Sequence, residues 1–346
     1  MRAQGVFIKG LGVFLPETVS VEQAVAEGRY SAEDAELHEL AGAAIAGDIP
    51  APKMALWAAQ QAFNRCGHRP KDVDLLLYAD SWHQGPDGWQ PQYYLQRHLL
   101  GGDALAVEVR HGCNGIFSAL EIAASYLRVQ DKRTALVVAS DNFGTPLIDR
   151  WQSGAGYIAG DGASAIVLTT EPGFATLQSV CTITVPEAEE VHRSGEPLFP
   201  PGPTVGRALD FRGRTADFNR RVMADGGGTT VWMRVHQKLV EVVDRTVAEA
   251  HLELGDITRV AFMNYSREIV EHRGVLALGL PMSKSTWDFG RTVGHLGASD
   301  QIVSLDHLLG TGELGAGDHM LLVGVGPGIT VSSAIIKILS TPTWIG

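Results

Sequence analysis

Uniformly apolar runs of strand length, separated by glycines and by segments of helical period, constrain this chain most. Residues 73–79 contain Leu75-Leu76-Leu77-Tyr78-Ala79, residues 134–140 contain Ala135-Leu136-Val137-Val138-Ala139, and residues 163–169 are nearly all apolar. A strand without polar alternation belongs in a sheet covered on both faces. The covering elements are visible too. Residues 51–66 place Met54, Leu56, Trp57, Ala58 and Phe63 at helical period and stop at Gly67. Residues 114–129 are apolar with few charges, the pattern of a buried helix. Residues 230–251 are amphipathic, and strands follow at 259–263, 320–325 and 329–339. The order strand, helix, strand recurs on either side of residue 172, which predicts an α/β duplication with halves at 1–172 and 173–346. Residues 20–46 read as surface helix and loop. Residues 171–228, with Pro186, Pro197, Pro200, Pro201 and Pro203, read as loop-rich.

Charge and cysteine content narrow the function. Lys and Arg number 28 against 39 Asp and Glu, a net charge of −11. Such a chain lacks the basic face that holds nucleic acid or anionic lipid regardless of sequence. Three cysteines, Cys66, Cys113 and Cys181, have no CxxC spacing, which argues against a disulfide framework and a zinc ribbon. No histidine belongs to a metal-ligand cluster. No apolar run approaches the roughly 18 residues that span a bilayer. The first residues lack a signal peptide's basic and apolar regions. The expectation is a cytoplasmic protein.

One cysteine stands out. In Val107-Glu108-Val109-Arg110-His111-Gly112-Cys113-Asn114-Gly115 it ends a strand and opens the buried helix. A helix N-terminus favours the thiolate. An inert core cysteine fits this segment equally well, and that is the reading for Cys66 and Cys181. Three further segments come in order: Gly160-Asp161-Gly162-Ala163-Ser164-Ala165, Gly294-His295-Leu296-Gly297-Ala298-Ser299, and Gly324-Val325-Gly326-Pro327-Gly328-Ile329-Thr330. Together with the cysteine segment they resemble the β-ketoacyl-acyl-carrier-protein synthase III family of the thiolase superfamily, over nearly the whole chain. The resemblance implies a five-layered αβαβα fold, usually dimeric. It implies that Cys113 accepts the acyl group, and that the backbone N–H groups of Cys113 and Gly328 form the oxyanion hole.

The chain departs from that family at two positions. Condensing members carry a histidine where this chain has Asn264, in Phe262-Met263-Asn264-Tyr265-Ser266. They carry an asparagine where it has His295, and Asp300 lies five residues further on. The family's histidine and asparagine jointly donate to a malonyl carbonyl. A histidine backed by a carboxylate is instead a general base. Cys113, His295 and Asp300 then compose a Cys-His-Asp triad for acyl transfer without decarboxylation. Asp300 has a second reading as a helix cap, and Asn264 either keeps a donor role or shapes the pocket. The resemblance also places a CoA-stacking residue near Arg150 or Trp151; an ordinary ion pair for Arg150 is equally compatible.

The exchanged pair looks like that of ester-forming homologues in aromatic polyketide pathways. It implies an acyl-CoA or acyl-carrier-protein donor, a malonyl group, and a hydroxyl acceptor on a glycosylated polyketide, with no permanently bound cofactor. Two rivals share the sequence. One is a decarboxylative condensing enzyme; the other is an inactive partner subunit.

Overall fold

The computed structural model describes residues 1–345 apart from 87, 130–131, 146, 200–208 and 225–227. Nine strands form one hydrogen-bonded sheet: β1 (Arg2–Phe14), β2 (Leu75–Asp80), β3 (Leu105–Arg110), β4 (Thr134–Asp141), β5 (Gly162–Thr169), β6 (Ala175–Thr184), β7 (Arg259–Ala261), β8 (His319–Gly326) and β9 (Thr330–Ile338). Their order is β3-β2-β4-β5-β1-β6-β9-β8-β7. From one edge, β3, β2 and β4 are parallel, and β5 and β1 add antiparallel. From the other edge β7 and β8 are parallel, and β9 and β6 add antiparallel. The two flanks meet at the antiparallel β1–β6 seam.

Helices cover this sheet in layers. Between its two halves lie α2 (Gly115–Tyr126) and α4 (Asp300–Gly310), with α1 (Ala51–Cys66) outside one half and α3 (Gly228–Glu249) outside the other. This is the αβαβα arrangement of the thiolase-like fold. The all-apolar strands result from it. In β2, Leu75, Leu77 and Ala79 pack with the central helices, while Leu76 and Tyr78 pack under α1. Every residue of β2 is buried. Helix α1 lies so close to β1 that a side chain on Gly10 or Gly12 would run into the carbonyls of Ala62 or Ala58.

Two regions differ from the sequence expectation. Residues 20–46 hold the expected helix, at Val21–Ala26 and Ala32–His38, but also the second strand of a ribbon, Gly42–Ala44 against Thr18–Ser20, whose Ala43 and Ala44 are fully buried. Short side chains let the ribbon sit against the loop bearing His295, and Val21, Ala24 and Leu40 form a small core there. The region 171–228 contains strand β6 and a helix at Phe211–Ala224. That helix buries only Phe218, so no apolar stripe announced it. The Pro200, Pro201 and Pro203 stretch lies outside the described residues.

Candidate active site

Cys113 lies in the tight turn Gly112–Asn114 between β3 and α2. The turn is anchored from the far half of the chain: Asn114 Nδ2 donates to the carbonyl and to Oγ1 of Thr330, at 2.9 Å each. Gly112 has φ +56°, and a side chain there would run into the Pro327 ring. The turn joining β8 and β9 is therefore pressed against the cysteine turn. It carries Gly328 at φ +72°, a conformation that glycine adopts without strain.

His295 arrives on a different loop. Its backbone N–H donates to Ile158 O at 2.8 Å, and its carbonyl accepts from Gly160 N–H at 2.9 Å. The glycine-rich run before β5 thus brackets the histidine. His295 Nε2 lies 2.9 Å from Cys113 Sγ, and Nδ1 lies 2.5 Å from Asp300 Oδ2. The turn Gly297–Ser299, entered through Gly297 at φ +61°, folds Asp300 back over the five-residue interval. His295 is only 2 % exposed. Burial by itself pushes this imidazole down, but the Asp300 carboxylate and a negative Cys113 outweigh it. The net effect holds His295 well above the usual histidine value.

Known proteins carry the same frame. Residues 107–183 match the 3-oxoacyl-[acyl-carrier-protein (ACP)] synthase III family model, and residues 247–338 match its C-terminal counterpart. The solved structure of the acyltransferase ChlB3 is 66% identical and superposes with a TM-score of 0.93, covering 98% of this chain and 99% of that one. The chain belongs to the synthase-III-like acyltransferases of the thiolase superfamily. The β-ketoacyl-[acyl-carrier-protein] synthase III of Xanthomonas campestris pv. campestris is 25% identical over 340 residues, covering 95% of this chain and 97% of its own. The synthase III structure from Pseudomonas aeruginosa PAO1, 23% identical, has the same fold at a TM-score of 0.77, covering 97% of this chain and 99% of that one.

Against that family, Asn264 is placed instructively. Its Nδ2 donates to Gly294 O at 2.9 Å and to Asp300 Oδ1 at 3.0 Å, and its backbone N–H donates to Asp300 Oδ2 at 3.0 Å. A side chain on Gly290 would collide with its Oδ1. Asn264 is thus a bracket for the carboxylate, with its amide nitrogen committed to protein acceptors. Leu296 N–H completes the set at 2.7 Å, so Asp300, fully buried, accepts four hydrogen bonds. All four donors belong to His295, Leu296 and Asn264, and none is an amide of the helix that Asp300 opens. That decides between the two sequence readings of Asp300 in favour of the histidine.

Both CoA-stacking candidates have partners within the protein. Arg150 forms a two-pronged pair with buried Asp161, at 3.0 and 3.1 Å, and donates to Ala159 O. Trp151 packs inward beside Tyr30 in the small core under the ribbon, with Arg29 over its ring. Arg150 thus braces the Gly160 run, and Trp151 packs into the small core. Cys66 and Cys181 have no histidine partner among the described residues, and burial pushes both thiols up. Among the described residues, no group of three His, Cys, Asp or Glu is arranged for a metal ion, and no helix is long and apolar enough to cross a membrane.

Two groups of site residues escaped the sequence reading. Buried Asp141, at the end of β4, accepts from the N–H groups of Ser81, Trp82 and Ala298, tying the loop after β2 to the turn after His295. Burial raises its pKa to about 6. Tyr157 and Tyr265 stack on each other with centroids 5.1 Å apart and stand edge-on to His295. Neither group has a motif. Only the glycines at 154 and 156 mark the tyrosine site in the sequence.

Proposed function

We propose that this protein transfers an acyl group through a thioester on Cys113 to an oxygen nucleophile, without decarboxylation. The observation that carries the reading is the placement of Asn264. A condensing site needs two donors around one malonyl carbonyl. Here the amide nitrogen of Asn264 serves Asp300 and Gly294, and His295 stands alone between a carboxylate and a sulfur.

The chemistry runs along that line of contacts. The Cys113 thiolate attacks the donor thioester carbon, and the oxyanion is received by the N–H groups of Cys113 and Gly328. The bond to the donor sulfur breaks, and the proton on His295 Nε2 goes to the departing thiolate. Acylation also removes the negative charge from Cys113, one of the influences that hold His295 high. The imidazole is left neutral, with Nε2 free and Nδ1–H fixed on Asp300. It then takes the proton of the acceptor hydroxyl as that oxygen attacks the acyl carbon. The C–Sγ bond breaks, and the ion pair is restored.

Acyl-CoA or acyl-carrier-protein is the donor class, since either presents a thioester on a long arm. The resemblance to ester-forming homologues makes malonyl the first acyl group to try and a sugar hydroxyl on a glycosylated polyketide the first acceptor. A second copy of the chain is the proposed partner at β3. This outermost strand exposes Leu105 (53%) and Val107 (38%), an apolar edge suited to strand pairing.

Intact-protein mass spectrometry after incubation with malonyl-CoA, with Cys113→Ala as control, tests the reaction. A malonyl adduct that depends on Cys113 and keeps its carboxylate supports transfer. An acetyl adduct with release of CO₂ returns the protein to the condensing class. No adduct from any thioester makes it an inactive subunit.

A further inference from the structure

An acyl-cysteine beside a general base has a second fate. His295 Nε2 can accept a proton from water as readily as from an acceptor hydroxyl. The water oxygen then bonds to the acyl carbon, the C–Sγ bond breaks, and the free acid leaves with the acyl group wasted. Transfer therefore requires that bulk water be kept from His295.

Besides Cys113 and Asp300, two aromatic rings stand against His295. Tyr157 and Tyr265 stack with an interplanar angle of 15°. Their ring centroids lie 5.2 and 5.1 Å from that of the imidazole, at 72° and 77° to its plane. The pair is assembled from both halves of the chain. Tyr157 comes after a glycine-rich turn, and a side chain on Gly154 would occupy the space its ring fills. Tyr265 directly succeeds Asn264, and its carbonyl accepts from Trp287 Nε1 at 3.1 Å. The two segments are pinned together where Ser266 N–H donates to Gly156 O at 2.6 Å. Both phenols stay neutral at working pH, because burial and the nearby Cys113 charge push them up. Among the described residues neither hydroxyl has a hydrogen-bond partner, so internal hydrogen bonding does not account for the pair.

We propose that Tyr157 and Tyr265 are positioning residues that close the His295 side of the reaction chamber against water and so direct acyl-Cys113 to its acceptor. The rings carry this role, through their area and their edge-on contact with the imidazole. The inference rests on the acyl-transfer reading above, in which His295 is the base.

The test measures a partition rather than a rate. Cys113 is acetylated with p-nitrophenyl acetate, excess reagent is removed, and the enzyme is chased with pantetheine. Acetyl-pantetheine and acetate are then quantified. Both products use the same base, so a general loss of His295 efficiency or of folded protein cancels in their ratio. Wild-type enzyme is expected to give mainly acetyl-pantetheine. Tyr157→Leu and Tyr265→Leu, made separately, are expected to shift the ratio toward acetate at least fivefold. Tyr157→Phe and Tyr265→Phe are expected to keep it within twofold. Leucine variants with the wild-type ratio would overturn the proposal, as would a wild-type enzyme that yields mostly acetate. Phenylalanine variants as leaky as the leucine ones would overturn the assignment to the rings. His295→Ala separates the two levels. If it slows both products, the base assignment holds and the tyrosines are judged on their own ratio. If it slows neither, the transfer reading itself fails.

Discussion

Replacing Asp300 by asparagine changes one charge and almost no volume, and the hydrogen bonds around the carboxylate dictate the outcome. The carboxylate accepts two N–H groups on each oxygen: Leu296 and Asn264 Nδ2 on Oδ1, and His295 Nδ1 and the Asn264 backbone on Oδ2. Either orientation of the new amide turns its NH₂ toward two donors, one of them a fixed backbone N–H. With NH₂ at the Oδ1 position, it opposes Leu296 N–H across what is now a 2.7 Å contact. With NH₂ at the Oδ2 position, His295 relieves half the conflict by moving its proton to Nε2. The second arrangement is favoured, because the imidazole can adapt and the Leu296 amide cannot. It leaves Nε2 protonated and facing Cys113, with no base for the acceptor. By analogy with Asp-to-Asn changes in Ser-His-Asp triads, transfer should fall roughly 10³–10⁴-fold. Stability should fall by about 3 kcal/mol for the broken buried network. Rapid-quench mass spectrometry separates loading of Cys113 from its discharge, and ¹⁵N spectra of His295 report which nitrogen holds the proton. The wild-type imidazole pKa is raised, so the stability it lends is full below about pH 6.5 and lost as pH rises through the raised value. The variant should lose much of that dependence. Discharge within threefold of wild type, with only a lowered melting temperature, would refute the reasoning and leave Asp300 a structural residue.

Two other perturbations test neighbouring parts of the site. Asn264→Ala removes the amide donor to Asp300 Oδ1 but keeps the backbone one. It should slow discharge roughly tenfold while loading stays near normal, at a cost of about 1–2 kcal/mol. A rise in the donor KM with unchanged discharge would instead mean that Asn264 touches substrate. Asp80 is buried, and burial, with the Asp141 and Glu108 carboxylates beside it, raises its pKa to about 9. Its contribution to stability is therefore full below about pH 4 and declines until the pH passes about 9. Asp80→Asn should match wild type near pH 4 and grow relatively more stable toward about pH 9. Denaturant melts at a series of pH values that run parallel for the two proteins would count against a protonated Asp80.

The sequence by itself determined the layers and brought Cys113 forward. Leu75–Ala79 and Ala135–Ala139 are apolar at every position, and only a sheet with helices on both faces buries both sides of such strands. The local setting of Cys113, a cysteine where a strand passes into an apolar helix, fits an inert residue equally well, and the family resemblance singled it out. The family resemblance brought His295 forward with Asp300 five residues on, but the sequence alone did not choose between base-orienting and capping. That choice depended on the turn at Gly297 and on two donors from Asn264, 36 residues away in sequence. The contacts of Arg150 and Trp151 were equally hidden. Trp151 and Arg150 look like surface ligands in one dimension, yet one belongs to a small core with Tyr30 and the other to an ion pair with Asp161. The tyrosine pair left almost no trace, because Tyr157 and Tyr265 meet only when the two halves close on each other. Periodicity records which faces an element buries. Which side chains meet across elements is a long-range property, and only the tertiary structure decided it.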